Sequence, residues 1–559
     1  MQIELYKDVY ARIVFDYDPG IVALVRSLAG AQYLARQKAW IIPIDHRLEQ
    51  SISLLVARGF KIDHEFFSII RFWKDREKIR TALKSDVKMK MVSVGTGRDE
   101  LPLYNFQMRL VQQMNVMIRF VNTAFTGSGK TLQTIAWLGS QGIQNFYPRP
   151  MHVLIVVPKS VQIQWQEEME KFMKGAQVTR VNGAPKAREL AYEAFTKATH
   201  YPNVLLTTYE LLRQDIERVQ KLKFDVLVCD EAHRLVNPSA QVYKAVASIT
   251  VPLRGFLTAT PIMNRALDVY GLYNLVCPGL FGSYKSFIDT YTIRNEYNSV
   301  VGYRNIDQLQ QIIEPWTVGI TLEEAGIELP PVTETDIPFK LSPKEQDFYT
   351  KVKKEALAEL TKEEVSKLSE ANLMNLATTK MLRLQQIASY AGALGSITEC
   401  SKLDTLKELL ADKVPHGTKA VIFTQFSTVA EMLHRELPES YLITGQTDTE
   451  TRGEIVKNFT KNPTPNILIG TSAISAGLNL QVANIIINYD SPWSVGQITQ
   501  RIGRAHRIGQ EKPVFVYNLL AQGTVDYYVK KTLEAKRLLA DQIKAVTYAD
   551  FKREVFETP

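Results

Sequence analysis

The stretch VNTAFTGSGKTLQTIAWL, Val121 to Leu138, decides how this chain is read. It closes on Gly-Lys-Thr and runs into an apolar segment of helical spacing, the order in which a phosphate-binding loop opens a helix. Such a loop needs small residues so that backbone N–H groups reach phosphate oxygens, a lysine for the outer phosphates and a hydroxyl for Mg²⁺. Gly127, Ser128 and Gly129 form the tight part, Lys130 brings the charge and Thr131 the hydroxyl. Where the usual pattern has its first glycine stands Ala124, the smallest replacement, which fits the turn if its φ stays negative.

A loop of this kind needs an acidic partner, and FDVLVCDEAHRL supplies one. An apolar strand, Phe224 to Cys229, delivers Asp230 and Glu231 to its carboxyl end, where ligands sit in open α/β sheets. Asp230 suits Mg²⁺ held through water, and Glu231 suits the orientation and deprotonation of an attacking water. Further on, QRIGRAHRIGQ spaces Gln500, Arg504 and Arg507 about a helical turn apart, which predicts one shared face. Arginines in such a run suit charge developing on a γ-phosphate.

Around these motifs the chain alternates. Apolar, β-branched runs (HVLIVVP, NVLLTTY, FDVLVCDE, LRGFLTATP) alternate with helical stretches from about residue 100 to 320, predicting a parallel sheet covered on both faces. The pattern resumes from about 403 with KAVIFTQF, SYLITG, PNILIGTS, ANIIINYD and PVFVYNLL. Between the two, GIELPPVTETDIP reads as a stiff connector, and SPKEQDFYTKVKKEALAELTKEEVSKLSEANL as a charged helix with a solvated face. The first 80 or so residues read as short strands (ARIVFDY, KAWIIPI) and helices, followed by a charged, glycine-containing linker, KSDVKMKMVSVGTGRDELP. The expected fold is therefore α/β.

At 559 residues several domains are expected, and 45% hydrophobic with 23% charged residues is ordinary for a globular chain. A net charge of +8 leans toward a polyanionic partner. Cys229, Cys277 and Cys400 lie far apart with no CxxC pair, so neither a zinc knuckle nor a disulfide framework is expected. The start lacks the charged and apolar regions of a signal peptide, and no apolar run is long enough for a membrane span, so a cytoplasmic setting, or a nuclear one in a eukaryote, is expected.

Taken in order, the motifs resemble those of SWI/SNF-type translocases of helicase superfamily two, over roughly residues 100 to 540. LYNFQMRLV is similar to the adenine-recognising Q motif, AFTGSGKT to motif I, VVPKSVQIQWQEEMEKF to Ia, LLTTYELL to Ib and DEAH to II. LTATPIMNRALDVYGLYNLVCPGLFGSY resembles motif III with its extension, VIFTQFST motif IV, GTSAISAGLNLQVAN motif V and QRIGRAHRIGQ motif VI. Two departures stand out: Ala259 replaces a common glycine of motif III, and no basic cluster follows IIEPWTVGIT.

The resemblance implies two tandem RecA-like lobes with helical insertions, with ATP and Mg²⁺ bound between them. It implies Gln107 on the adenine edge, with Tyr104 or Phe106 nearby, and duplex DNA across the lobes on Lys159, Ser160, Thr207, Thr208, Thr471 and Ser472. The corresponding division is 1–95 as a small α+β accessory domain, 96–325 as lobe 1, 326–400 as connector and helical insertion, and 401–559 as lobe 2. Trp165 reads as core.

The N-terminal segment IVFDYDPGIVALVRSLAGAQYLARQKAWIIPIDH resembles the HARP module of annealing helicases. That likeness implies DNA binding at forks, with Arg26, Arg36 and Lys38 as phosphate contacts and Trp40 as either a core anchor or a stacking platform. The implied activity is ATP-driven translocation on double-stranded or forked DNA, with a monomer as one open form, no membrane and no named protein partner. A strand-separating helicase and an ATP-switched nucleic-acid-binding regulator remain the alternatives.

Overall fold

The structure is a computed structural model. It describes residues 1–6, 10–28, 30–34, 37–44, 47–63, 66, 69–70, 103–117, 119–143, 151–173, 175–199, 202–258, 267–294, 300–360, 370–393, 397–415, 417–475 and 478–538. Arg36, Ala259 and the whole charged linker, 84–102, lie outside the described residues. The chain forms two compact units, Met1–Ile293 with Tyr303–Gly326, and Arg294–Gly302 with Ile327–Pro559.

The first unit opens with a small sheet of strands β1 (Gln2–Tyr6), β2 (Tyr10–Val14), β3 (Gln32–Leu34), β4 (Ala39–Pro43) and β5 (Lys61–Ile62), in the order β3-β4-β2-β1-β5. Its pairs are antiparallel except β1 with β5. Helix Pro19–Ser27 is capped by Asp18, whose carboxylate accepts from Ile21 N, and its Val25 joins Ile3, Ala11, Ile13, Ile42 and Leu55 in a dry core. This module packs on the rest of the unit. Cys277, Arg254 and Arg119 lie near the Tyr10 hydroxyl, and burial pushes that phenol up to about 12. Gly279, at φ 84°, has Gln32 Nε2 only 2.6 Å from where a Cβ would stand.

The larger sheet of this unit contains seven strands, β6 (Arg119–Asn122), β7 (His152–Val157), β8 (Gln177–Arg180), β9 (Asn203–Thr208), β10 (Val226–Asp230), β11 (Leu253–Leu257) and β14 (Thr317–Val318), while β12 (Thr292–Arg294) and β13 (Val300–Tyr303) form a separate two-stranded sheet. Their order is β14-β6-β11-β10-β7-β9-β8, and every pair is parallel. All residues of β6, β9 and β11 are buried, which is why their sequences run apolar without alternation. Arg254 at the amino end of β11 is buried too, with Nη1 donating to Leu275 O (2.6 Å) and Nη2 to Ile249 O (3.0 Å). Burial first, and then the Arg119 charge, lower its pKa to about 10.

The second unit is built on a six-stranded sheet, β15 (Val332–Phe339), β16 (Ala420–Phe423), β17 (Ser440–Ile443), β18 (Ile467–Gly470), β19 (Ile485–Asn488) and β20 (Val514–Ala521). The order β15-β20-β19-β16-β18-β17 is again parallel throughout. The segment that reads as a connector is thus an edge strand. β15 pairs with β20 over its full length, and its polar TETD survives because all four of these residues are exposed at the edge of the sheet.

The charged helical region also differs from its reading. Helices Pro343–Leu360 and Glu370–Ser389 bury Tyr349, Ala356, Leu360, Leu384 and Ile387 against the second sheet. Glu345, 2% exposed, accepts from Ser342 N (3.0 Å) and Ser401 N (3.2 Å), capping two helices with one carboxylate.

Lys402 and Asp526 meet at 2.7 Å with both side chains fully buried, and the ammonium also faces the Phe339 and Tyr489 rings. The pair joins the start of helix Ser401–Lys413 to the start of helix Val525–Leu538. Removing one partner strands the other charge, so Lys402→Met should destabilise the protein by about 3–5 kcal/mol in urea unfolding. Adding Asp526→Leu should recover most of that loss.

Candidate functional site

The phosphate loop hangs from the carboxyl end of β6 and feeds helix Lys130–Ile143. Gly127 and Gly129 take φ values of 82° and 78°, which only glycine adopts without strain. Ala124 takes no positive φ. It is buried, and its N–H donates to Asn122 Oδ1 at 3.0 Å, so the turn needs a small residue there rather than a glycine. Lys130 Nζ donates to Ala124 O (2.8 Å) and Phe125 O (3.1 Å), which holds the ammonium over the loop. Ser128 is buried, and no protein group hydrogen-bonds its Oγ. Thr131 follows Lys130 in the first helical turn, half-buried.

Gln107, expected on the adenine edge, is held inside the fold by the loop and by its own helix. Its amide is 3% exposed and spans from the loop to its own helix, with Nε2 donating to Ser128 O (2.8 Å) and Oε1 accepting from Tyr104 N (3.0 Å). Gln133 Nε2 donates to the same carbonyl at 2.9 Å and Gln133 Oε1 accepts from Asn122 Nδ2, so two buried glutamines brace the loop from below. The Gln107 amide lies 2.6 Å from where a Gly129 Cβ would stand, which fixes that residue as glycine a second time. Tyr104, 56% exposed, stacks on Phe106 at 6.0 Å, and Phe106 lies beside Phe125 of the loop. The aromatic surface next to the loop is therefore made by Tyr104.

Asp230 ends β10, two strands from the loop strand in the sheet order. Its Oδ2 accepts from the indole of the buried Trp165 (2.8 Å) and its Oδ1 from Glu231 N (2.8 Å), while Tyr209 OH donates to its carbonyl (2.6 Å). Burial, with the Glu231 charge adding to it, pushes the Asp230 carboxyl up to about 6; the Trp165 hydrogen bond and the Lys130 charge pull the other way. Glu231 sits at φ 50° in the left-handed region, and its Oε2 lies 3.3 Å from His233 Nδ1. A non-glycine residue held there marks local strain that turns the side chain away from the strand direction. Trp165 is core, as read, but its N–H also orients the aspartate, a role that no local pattern announces.

This arrangement fits a divalent cation. Two adjacent carboxylates, one with its charge disfavoured by burial and by its neighbour, are relieved by a cation beside a lysine-bearing loop. Asp230 and the Thr131 hydroxyl would hold Mg²⁺, whose contribution when bound is to neutralise phosphate charge. Among the described residues, no cluster of three or more His, Cys, Asp or Glu forms a metal cage.

Motif VI departs from its expected geometry. Helix Val495–Ile502 includes Gln500 but stops at Gly503, whose N–H donates to Thr499 O. Arg504 and Arg507 follow in the turn, so the three residues share no helix face, because the glycine caps the helix before the arginines. The turn is tied down by Gln510, whose Nε2 donates to Gln481 O, Ala483 O and Ala505 O. Arg501, which the sequence reading passed over, is the buried one. It is 3% exposed, and Nη1 donates to Asn488 Oδ1 (2.7 Å) and Asp490 O (3.2 Å) beneath the Phe423 ring.

The residues expected to touch nucleic acid divide by exposure. Lys159 and Ser472 are exposed at helix starts, and Ser160 is half-buried. Thr207 is fully buried, and the Thr208 hydroxyl is used as an N-cap for Leu211 N (3.2 Å), so neither side chain faces water. Thr471, 5% exposed, turns its Oγ toward Ala473 N at 3.4 Å. In the N-terminal module Arg26 and Lys38 are exposed. Trp40 is partly buried against the small core, with Tyr33 at 5.2 Å and the Arg26 guanidinium 5.9 Å over its ring.

Comparison with known proteins agrees with this layout. The family model described as SNF2-related domain matches residues 125–389, and that of the helicase conserved C-terminal domain matches residues 401–509. The first match begins in the phosphate loop and ends with helix Glu370–Ser389, the second runs from helix Ser401–Lys413 into the turn after Gly503, and the N-terminal module lies outside both; the fold is that of two tandem RecA-like α/β lobes.

An uncharacterized ATP-dependent helicase of Mycoplasma pneumoniae is 29% identical over 427 residues, and one of Mycoplasma genitalium 30% over 430; each match takes in 74% of this chain and 40% of the relative. The human SWI/SNF-related matrix-associated actin-dependent regulator of chromatin subfamily A member 1 is 27% identical over 435 residues, 73% of this chain and 40% of that protein. The chain spans about 40% of the length of these relatives. A solved Sulfolobus solfataricus SWI2/SNF2 ATPase core in complex with dsDNA is 24% identical, with TM-score 0.39, over 84% of this chain and all of that one.

The Asp230 carboxyl predicts a pH limb. Its pKa is raised, so the ionised form that serves a cation is lost as pH falls through about 6. The kcat/KM for MgATP should drop on the acid side near that pH. Trp165→Phe removes a donor that favours the carboxylate, so its limb should move to higher pH.

Proposed function

For a chain that joins an SNF2-related domain to a helicase C-terminal domain, we propose an ATP-driven translocase acting on double-stranded DNA, with forked or branched DNA as its substrate. The observation that carries the reading is the placement of Lys130 and the Asp230–Glu231 pair at carboxyl ends of one parallel sheet, with Trp165 and two glutamines fixing both. Rigid second contacts of this kind suit a site that must hydrolyse and not merely bind.

In this reading Gly127, Ser128, Gly129 and Lys130 cradle the phosphates and Thr131 with Asp230 holds Mg²⁺. Glu231 takes the proton from the attacking water. Gln500, Arg504 and Arg507 of the second unit act on charge developing at the γ-phosphate. The adenine lies against Tyr104, and Gln107 acts through the loop carbonyl it holds. Lys159, Ser160 and Ser472 contact DNA phosphates, which predicts little sequence preference and steep salt dependence. Thr207, Thr208 and Thr471 offer only backbone groups.

The relatives named as ATP-dependent helicases support the nucleotide half of the proposal. The fork half rests on the N-terminal module and its HARP resemblance, with Arg26, Arg36 and Lys38 as phosphate contacts.

ATP turnover measured without nucleic acid and with single strands, blunt duplex, forked DNA and RNA tests the proposal. Duplex should stimulate, forks more, and Glu231→Gln should lower the stimulated rate by about 100-fold or more. Stimulation by RNA or single strands alone would point to a strand-separating helicase, and slow turnover indifferent to all of them to a switch. Replacing Arg26 and Lys38 together by Glu should remove the extra stimulation by forks and leave that by blunt duplex.

A further inference from the structure

The second unit contains a polar chain that none of the motif assignments uses. Lys530 Nζ donates to Asp336 Oδ1 at 2.9 Å, on the edge strand β15. Asn518 Nδ2 on β20 donates to the same oxygen at 2.9 Å. Asn488 Nδ2, at the end of β19, donates to Asn518 Oδ1 at 2.8 Å, and Arg501 Nη1 donates to Asn488 Oδ1 at 2.7 Å. The backbone carbonyl of Arg501 accepts from Arg504 N at 3.2 Å. Asn488, Asn518 and Arg501 are all less than 10% exposed.

The chain has a fixed polarity. A carboxylate only accepts, so Asp336 turns the Asn518 amide with nitrogen toward itself and oxygen toward Asn488. That oxygen then takes the Asn488 nitrogen, which leaves the Asn488 oxygen for a guanidinium that only donates. Each amide is held at both ends, so neither can flip without leaving a buried group unpaired. Lys530 and Arg501, the two cations at the ends, match this direction.

We propose that Asp336, Asn518 and Asn488 form a positioning relay that sets Arg501 and, through its carbonyl, the turn bearing Arg504. The relay begins on β15, the edge strand of the second unit's six-stranded sheet. It thus ties Arg501 and the turn bearing Arg504 to the edge strand of their own sheet. The inference rests on the reading of Arg504 and Arg507 given above. A relay of this kind governs how well an arginine is aimed in the transition state and leaves ATP binding alone.

The test is steady-state ATP turnover of the full chain on duplex DNA. Asn518→Leu keeps the shape and breaks the relay; kcat should fall about tenfold while KM for ATP stays within about twofold. Exchanging the partners, Asp336→Asn with Asn518→Asp, reverses only the bond between these two, still leaves the Asn488 oxygen for the Arg501 donor and should restore at least half of the lost rate. Asp336→Ala lies on an exposed edge, where folding tolerates it, and should lower kcat in the same way if Asn518→Leu does not accumulate as folded protein. A parental kcat in Asn518→Leu or in folded Asp336→Ala overturns the relay, as does an exchange that restores nothing. Arg504→Ala run beside them separates the two ideas: parental turnover in that variant refutes the arginine reading itself.

Discussion

An aspartate at the carboxyl end of a buried parallel strand has to find its hydrogen-bond donors inside the fold. Each unit of this molecule has one. Asp230 takes the Trp165 indole and the Glu231 amide. Asp490, just past β19 and fully buried, takes Gln425 N and the Thr424 hydroxyl, with Arg501 close by. Burial raises both carboxyls, and in each case a donor comes from a segment some 65 residues away in the sequence. Satisfying these two groups fixes where the helices after β7 and β19 and the loop after β16 must lie. Two functional edges follow from two local electrostatic demands.

The same requirement explains the glutamines. Gln107 and Gln133 converge on the carbonyl of Ser128, and Gln385 and Gln425 converge on that of Ser491. An amide can donate at one end and accept at the other, so it joins two backbones that no secondary structure connects. Gln385 also accepts from the Trp493 indole, drawing the helical insertion into the packing of the second sheet. A loop meant to move little between turnovers benefits from such double attachment, since losing one bond leaves a buried group unpaired.

Much of this was legible in the sequence, and the reasons for the exceptions are physical. The continuous apolar runs mark β7, β9, β10, β11, β16, β18 and β19 because a doubly covered sheet leaves no polar face. β15 escaped because an edge strand with four consecutive exposed residues carries TETD as readily as a linker does. Glu345 falls in the stretch read as a solvated helix face, and Lys402 and Asp526 are not singled out, because their partners are 56 and 124 residues away and nothing local distinguishes a paired charge from a solvated one. The arginine spacing in motif VI suggested a helix face, but Gly503 ends the helix and hands Arg504 to a turn. Arg501, one place from Gln500, carries the buried contacts, which spacing alone does not tell.

The phosphate loop shows that one motif letter can stand for different demands. Gly127 and Gly129 are required by backbone angle, and Gly129 also by the Gln107 amide pressed against it. At Ala124 neither demand applies: the φ is ordinary, and what matters is a residue small enough to be buried while Asn122 takes its N–H. A methyl group satisfies that. Reading the loop by angle and contact rather than by letter shows why a chain without the first glycine still forms the loop, and why the same exchange at Gly129 would not be tolerated.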